Sequence, residues 1–406
     1  RQDQAQTIKV ALGTYRSVGN QYWDLTGGVD IIGGCSLPSW EPVPGAISEI
    51  QISRRPIKAL DIRAPTRIRG LHLIQIFDGD PTCNALYLFG CSEDLFFSGC
   101  GFTAADGADG DPGQDGWEGS ADPLNSDGQP GQPGACTGEA TAEGGQGGQF
   151  SCDGGRGGAG GRPGQAGESG LPGSCFGGSG GPGGALGADG LPGQDGEAGE
   201  NGENGTLPQG LGYFLGSVFF PRDSEDGSNG SDGQPGGGGG GGGGSISGTG
   251  NGGGGGGSAG DRGRGGEGGG GGGHSIAVIC VNSTAVFQGC LFTASDGGTG
   301  GRGGRGGAGI PGGTGGQGET ACPDEVGAGG RGCDGGTGGA GGGGAGGNGG
   351  ASIGVYLVGN ARPALDSSSH FQLGVPGTGG AGGLTGDGLG QAPNGQIGPA
   401  LNILDE

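Results

Sequence analysis

The sequence predicts an all-β fold, a β-solenoid that carries long glycine-rich insertions. Three observations predict it. Apolar residues gather in short segments that alternate with polar ones and show no helical period. One unit recurs, "GCGFTAADG" at 99–107 and "GCLFTASDG" at 289–297, matching at seven of nine positions. Each copy runs directly into glycine-rich sequence. A fixed strand–turn–strand unit whose insertions leave from one corner is the pattern of a solenoid.

Residues 1–104 form the first part of this solenoid. The segments "TIKVALGTY" (7–15), "GVDIIGGC" (28–35), "ISEIQIS" (47–53), "KALDIRA" (58–64) and "IRGLHLIQI" (68–76) read as strands, followed by "ALYLFG" (85–90) and "LFFSGCGF" (95–102). Gly, Pro or polar turns separate them. Residues 105–273 are a first glycine-rich insertion. A coil returns over 274–296 with "SIAVIC" and "AVFQGCLFTASDG", a second insertion spans 297–350, and a weaker coil over 351–374 holds "SIGVYLVG" and "HFQLG". Residues 375–406 are a glycine-rich return with a strand-like tail, "PALNILDE".

Glycine supplies 125 of 406 residues, and in "GALGADGLPGQDGEAGENGENG" (184–205) it falls at every third position eight times running. Collagen shares that period but needs far more proline than the 23 present here. The runs at 107–116, 155–173, 184–205, 260–272, 297–318 and 329–350 are short and interrupted by turn residues. One chain can fold such runs into a bundle of antiparallel polyproline II helices, whose N–H and C=O groups must find partners on neighbours or water. Glycine lets the backbones approach closely enough to pair directly. The acidic X and Y positions of 184–205 place that run outside. The run 297–309 has two bare faces and should meet more neighbours. The nine glycines 236–244 carry no side chain and predict a fully surrounded central helix.

The net charge is −23, with only two lysines, Lys9 and Lys58. That balance argues against nucleic acid and anionic membrane surfaces as partners. No apolar run reaches the length of a membrane-spanning helix, so no membrane insertion is expected. The chain begins at Arg1, which predicts either that an initiator and a signal peptide have been removed or that the sequence is partial. Eleven cysteines without CxxC pairs or Cys/His clusters point to disulfides in an oxidising compartment, hence to a secreted, extracellular or cell-surface protein. Cys322 and Cys333 bracket one turn between glycine runs, and Cys136 and Cys152 flank another. Cys100 and Cys290 occupy equivalent repeat positions and should stack, bonded or simply buried. The connectivity stays open.

The stretch "VALGTY…LTGGVDIIGGC…W" followed by "IRGLHLIQI" resembles the opening coils of right-handed parallel β-helix proteins, the pectate-lyase-like secreted and surface proteins. The glycine-rich insertions resemble those of large surface proteins of bacteria such as myxobacteria. The glycine runs themselves are similar to the polyproline II bundles of the snow-flea antifreeze protein and certain phage tail adhesins. The first resemblance covers about a third of the chain and implies a right-handed parallel β-helix.

An enzyme of that class would need clustered carboxylates with calcium, or a paired acid and base, beside a positioned Arg or Lys. Asp78 and Asp80 in "FDGDP" are the candidates for a Ca2+ site, against an ordinary polar turn. Arg54, Arg55, Arg63, Arg67 and Arg69 make a basic patch that suits solvated strand faces or docking against an acidic copy of the same chain. His72, His274 and His370 show no metal-ligand spacing, and no catalytic constellation emerges, so the protein is not expected to be an enzyme and no cofactor is expected. Asn204, Asn229 and Asn282 sit in glycosylation sequons. The expected role is that of an extracellular structural protein whose partners are copies of itself, a self-assembling subunit of a filament or surface layer joined by strand addition or end-to-end stacking. The alternative is an adhesin or glycan-binding protein, and a polysaccharide lyase ranks below both.

Overall fold

The computed structural model describes residues 6–17, 23–53, 55–76, 81–120 and 125–406. Among them all regular structure is β. The chain repeats a three-strand circuit six times. The first three circuits are β1 (Gln6–Ala11), β2 (Thr14–Arg16), β3 (Asp24–Leu25); β4 (Val29–Cys35), β5 (Ser48–Ile52), β6 (Ile57–Leu60); and β7 (Thr66–Arg69), β8 (Leu71–Gln75), β9 (Thr82–Phe89). The fourth begins with β10 (Leu95–Ser98) and β11 (Gly101–Thr103), is interrupted by the hairpin β12 (Gly212–Leu215) and β13 (Val218–Pro221), and closes with β14 (His274–Val281). The fifth is β15 (Val286–Gln288), β16 (Leu291–Ala294), β17 (Ser352–Val358), and the sixth β18 (Ala364–Leu365), β19 (His370–Leu373), β20 (Ala400–Asp405).

Equivalent strands stack into three six-stranded parallel sheets: β1-β4-β7-β10-β15-β18, β2-β5-β8-β11-β16-β19 and β3-β6-β9-β14-β17-β20. The register puts like on like. Ile31, Ile68, Phe97, Phe287 and Leu365 form one interior column, and Ile50, Leu73, Phe102, Phe292 and Phe371 another. Phe97 stacks on Phe287 with ring centroids 5.0 Å apart, and Phe292 on Phe371 at 5.1 Å. Between the first and second sheets the corner is turned by Gly70, Gly99 and Gly289, at φ of 64°, 57° and 58°, a left-handed backbone that favours glycine.

The middle strands of the third sheet, β9, β14 and β17, are buried on both faces, which is why "SIAVIC" reads as an unbroken apolar run rather than an alternating one. Its outer face, with Tyr87, Ile279 and Tyr356, packs against Phe214 and Phe219 of the hairpin. That hairpin lies within the 105–273 stretch, between its glycine-rich tracts. "GYFL" and "VFFP" flank a turn at Gly216 (φ 65°), and Phe219 buries itself against Tyr356 at 5.3 Å.

Every glycine-rich excursion leaves between the second and third sheets, over 104–273, 295–351 and 374–399. Within the excursions the hydrogen bonds repeat every third residue. Gly227, Gly230 and Gly233 donate to the carbonyls of Gly266, Gly263 and Gly260 at 2.8, 3.0 and 3.0 Å, an antiparallel pairing of consecutive tracts. Gly107, Gly110 and Gly113 donate to Asp296, Thr299 and Arg302 at 2.9, 2.8 and 2.8 Å, and this pairing is parallel. The bundle is therefore mixed rather than wholly antiparallel. Successive excursions start from the same corner in the same direction, and a three-residue period serves neighbours of either sense. Two expected single runs are each two tracts. Gly164 (φ 78°) reverses the chain inside 155–173, and Gly187 (φ 69°) does so at the start of 184–205. The turns, closed by Gln165 N–H to Arg162 O and Ala188 N–H to Ala185 O at 2.8 Å, each keep glycine in its three-residue phase.

Residues 236–244 are buried throughout, and the arm that follows Gly187 exposes its Asp, Glu and Gln side chains. Six consecutive glycines, 252–257, show why no side chain fits. A Cβ on each would stand 1.9–2.2 Å from the carbonyl oxygens of Glu143, Gly239, Gly316, Gln146, Gly236 and Gly313 in turn. Three different neighbours are met, each again after three residues.

Candidate functional site

Among the described residues, three strands pair on one side only at each end of the stacked sheets: β1, β2 and β3 at the first circuit, β18, β19 and β20 at the last. The first circuit is too short to seal the interior. Ile8, Val10, Trp23, Leu25, Ile31 and Ile57 help line an apolar cavity of about 210 Å³ there. Trp23 and Ile8 stay largely exposed. At the opposite end Leu401 and Ile403 are exposed, while Phe371 and Leu365 are half-buried against the core. Beside Leu365 stands Asp366, which accepts from Gly289 N–H at 2.9 Å and from the Ser369 hydroxyl at 2.8 Å. The Ser368 hydroxyl is the largest of the donors that hold its carboxyl down at about 2, so it is charged at any physiological pH.

The charge is unevenly spread along the chain. Half of the 18 Lys and Arg residues, but only six of the 41 acidic ones, lie within residues 1–70. Arg54 of the basic patch lies outside the described residues. Arg63 reaches Asp61 at 3.9 Å. Arg67 and Arg69 project from the outer face of the first sheet into a groove of about 540 Å³ with Asp30, Glu93, Asp94 and Phe96.

The cysteines pair differently from the brackets the sequence suggested. Cys136 is bonded to Cys322 and Cys152 to Cys175, with Cα–Cα distances of 5.3 and 5.9 Å. The three-residue bundle brings the turns at Cys136 and Cys322 together across 186 residues, a juxtaposition no local spacing reveals. Cys333 stays a thiol, its Sγ donating to Gly193 O at 3.0 Å, and burial pushes it up to about 11. Cys100 and Cys290 are buried thiols in adjacent coils, pushed up to about 12 and about 11 by burial. Such thiols pack rather than react.

The sequon asparagines all serve the backbone. Asn204, Asn229 and Asn282 accept through Oδ1 from Gly343, Gly265 and Asn360 N–H, each at 2.9 Å. Asp78 and Asp80 lie outside the described residues. Among the described residues no group of three or more His, Cys, Asp or Glu side chains is arranged to hold a metal ion. His274 is fully enclosed between the hairpin and the third sheet. Its Nδ1 accepts from Ala351 N–H at 2.9 Å, its Nε2 faces Leu211 O at 3.2 Å, and burial lowers its pKa to about 4.

Two disulfides, and among the described residues the lack of any helix long and apolar enough to cross a membrane, are compatible with a secreted protein. No protein-family model, no curated protein and no solved structure matches the chain.

Proposed function

We propose that the chain is an extracellular structural protein, a self-assembling subunit of a filament or surface layer. Its architecture in this reading is a right-handed parallel β-helix, the hand that parallel crossovers adopt almost without exception, fused to a polyproline II bundle. The three-residue hydrogen-bonding period supports the bundle. The observation that carries the role is the pair of open ends: three parallel sheets stop at unpaired edge strands over exposed apolar side chains. Open edges template further pairing unless they are covered. Secretion rests on the disulfides, and copies of the same chain are the partners this geometry suits. Electron microscopy of undenatured protein tests the reading. Filaments or sheets are expected, and dispersed particles at all concentrations overturn it.

One cleft favours a second reading, glycan binding by a surface adhesin. Tyr213 and Phe220 stack with centroids 5.8 Å apart in a cleft of about 550 Å³ walled by Asp109, Asp111, Gln114 and Glu267. Exposed aromatic faces and hydroxyl-accepting carboxylates suit a neutral sugar. A glycan array on wild type and Tyr213→Ala separates the readings, since adhesion requires hits that the substitution removes.

A further inference from the structure

The strand register points to one specific contact: the sixth circuit of one copy docks on the first circuit of the next, head to tail, extending all three parallel sheets in register. This rests on the self-assembly reading and names its interface.

In the first sheet one column runs Ile8, Ile31, Ile68, Phe97, Phe287, Leu365, so Leu365 of one copy falls opposite Ile8 of the next. The adjacent outward column runs Lys9, Ile32, Arg69, Ser98, Gln288, and Asp366 follows Leu365 to end it. The next subunit's Lys9, which in its own chain stands 3.9 Å from Glu41 Oε1, therefore meets the Asp366 carboxylate. In the second sheet the column Tyr15, Ile50, Leu73, Phe102, Phe292, Phe371 sets Phe371 on the next Tyr15 and continues the ring stack. Beside it Gln372 falls opposite the next Arg16, which inside one chain already donates from Nε to Gln51 Oε1 at 3.2 Å. In the third sheet Ile403, 43% exposed, falls opposite Trp23, 38% exposed. Asp405 turns aside to Arg362 at 3.3 Å. One apolar pair meets in each sheet and acid meets base once, while the third-sheet register also sets Leu404 opposite Asp24 and Asp405 opposite Leu25.

The contact is heterologous, so it propagates rather than closing a dimer. The first circuit brings Lys9 and Arg16 beside Asp24, and the last carries Asp366 and Asp405, which favours this polarity over end-matched pairing. The six described circuits, at about 4.8 Å per strand, span roughly 29 Å along the stacking axis.

The test uses two single charge reversals, Lys9→Glu and Asp366→Lys, in the full chain, with assembly followed by light scattering and electron microscopy. Each variant alone should need a roughly tenfold higher concentration to assemble, because every junction then carries like charges. An equimolar mixture should assemble as wild type does, since each junction regains one acid and one base. Unchanged circular dichroism of each variant shows that the fold survives. Assembly of both single variants at the wild-type concentration, or no recovery on mixing, overturns this interface while leaving self-assembly standing. Wild-type protein that never assembles overturns the underlying reading instead.

Discussion

Gly239 lies so close to Gly330 that a Cβ on it would stand 2.1 Å from the Gly330 carbonyl oxygen, while its own N–H donates to Gly254 O at 2.9 Å. The obstacle is backbone on a neighbouring tract, fixed by its own hydrogen bonds, so it cannot rotate away. Gly239→Ala is expected to cost about 3 kcal/mol or more, well beyond the ~0.4–1 kcal/mol that stiffening the unfolded chain returns. Glu197→Ala, on the exposed outer arm, should stay within about 0.5 kcal/mol. Urea unfolding of the two variants checks the contrast.

The two disulfides should contribute unequally. Cys136–Cys322 closes 186 residues of sequence separation and Cys152–Cys175 closes 23. Loop-closure entropy assigns roughly 5 kcal/mol to the first and roughly 3 kcal/mol to the second. The double replacement Cys136→Ser with Cys322→Ser should lower the melting temperature more than Cys152→Ser with Cys175→Ser. Equal losses would mean that the unfolded glycine tracts are already compact.

The aromatic ladder offers a third measurement. Phe287 is fully buried, stacked on Phe97 at 5.0 Å and edge-on to Phe292 at 5.3 Å. Phe287→Ala should cost about 3–5 kcal/mol by opening a cavity that coils above and below cannot collapse into. Phe287→Leu keeps most of the volume and should cost less than half as much. Denaturant midpoints of the pair decide it.

The stacked parallel sheets were legible because their signals are local. The alternation in "ISEIQIS" becomes β5 with Ile50 and Ile52 buried, and the near-identical segments at 99–107 and 289–297 become β11 and β16 in adjacent circuits. The bundle was legible in its period but not in its path. Gly164 and Gly187 reverse the chain without breaking the glycine phase, so a reversal and a straight run look alike in sequence. The Cys136–Cys322 bond follows from that path and was hidden with it. Nor did any local motif mark Lys9 and Asp366, since their relation appears only once six circuits are set in register.

The last expectation concerns pH. His274 is held neutral by burial, with its pKa lowered from 6.5 to about 4, and it accepts from Ala351 while stacking near Phe219 at 5.3 Å. Above pH 6.5 the ring is neutral in both folded and unfolded chains and adds no pH dependence. Below it the unfolded chain takes up the proton first, so stability falls as pH drops and levels off once the folded ring also protonates near pH 4. The total loss is about 3 kcal/mol. Asp109, Asp115, Asp366 and Asp387 are all lowered below the usual 3.8 by hydrogen bonds, so their contributions are lost only at still lower pH. His274→Asn, which can still accept from Ala351 N–H, should make the fall in stability between pH 6.5 and 4 shallower, leaving the part that His72, also lowered by burial, contributes. A wild-type profile already flat across that interval would show that the ring protonates within the fold.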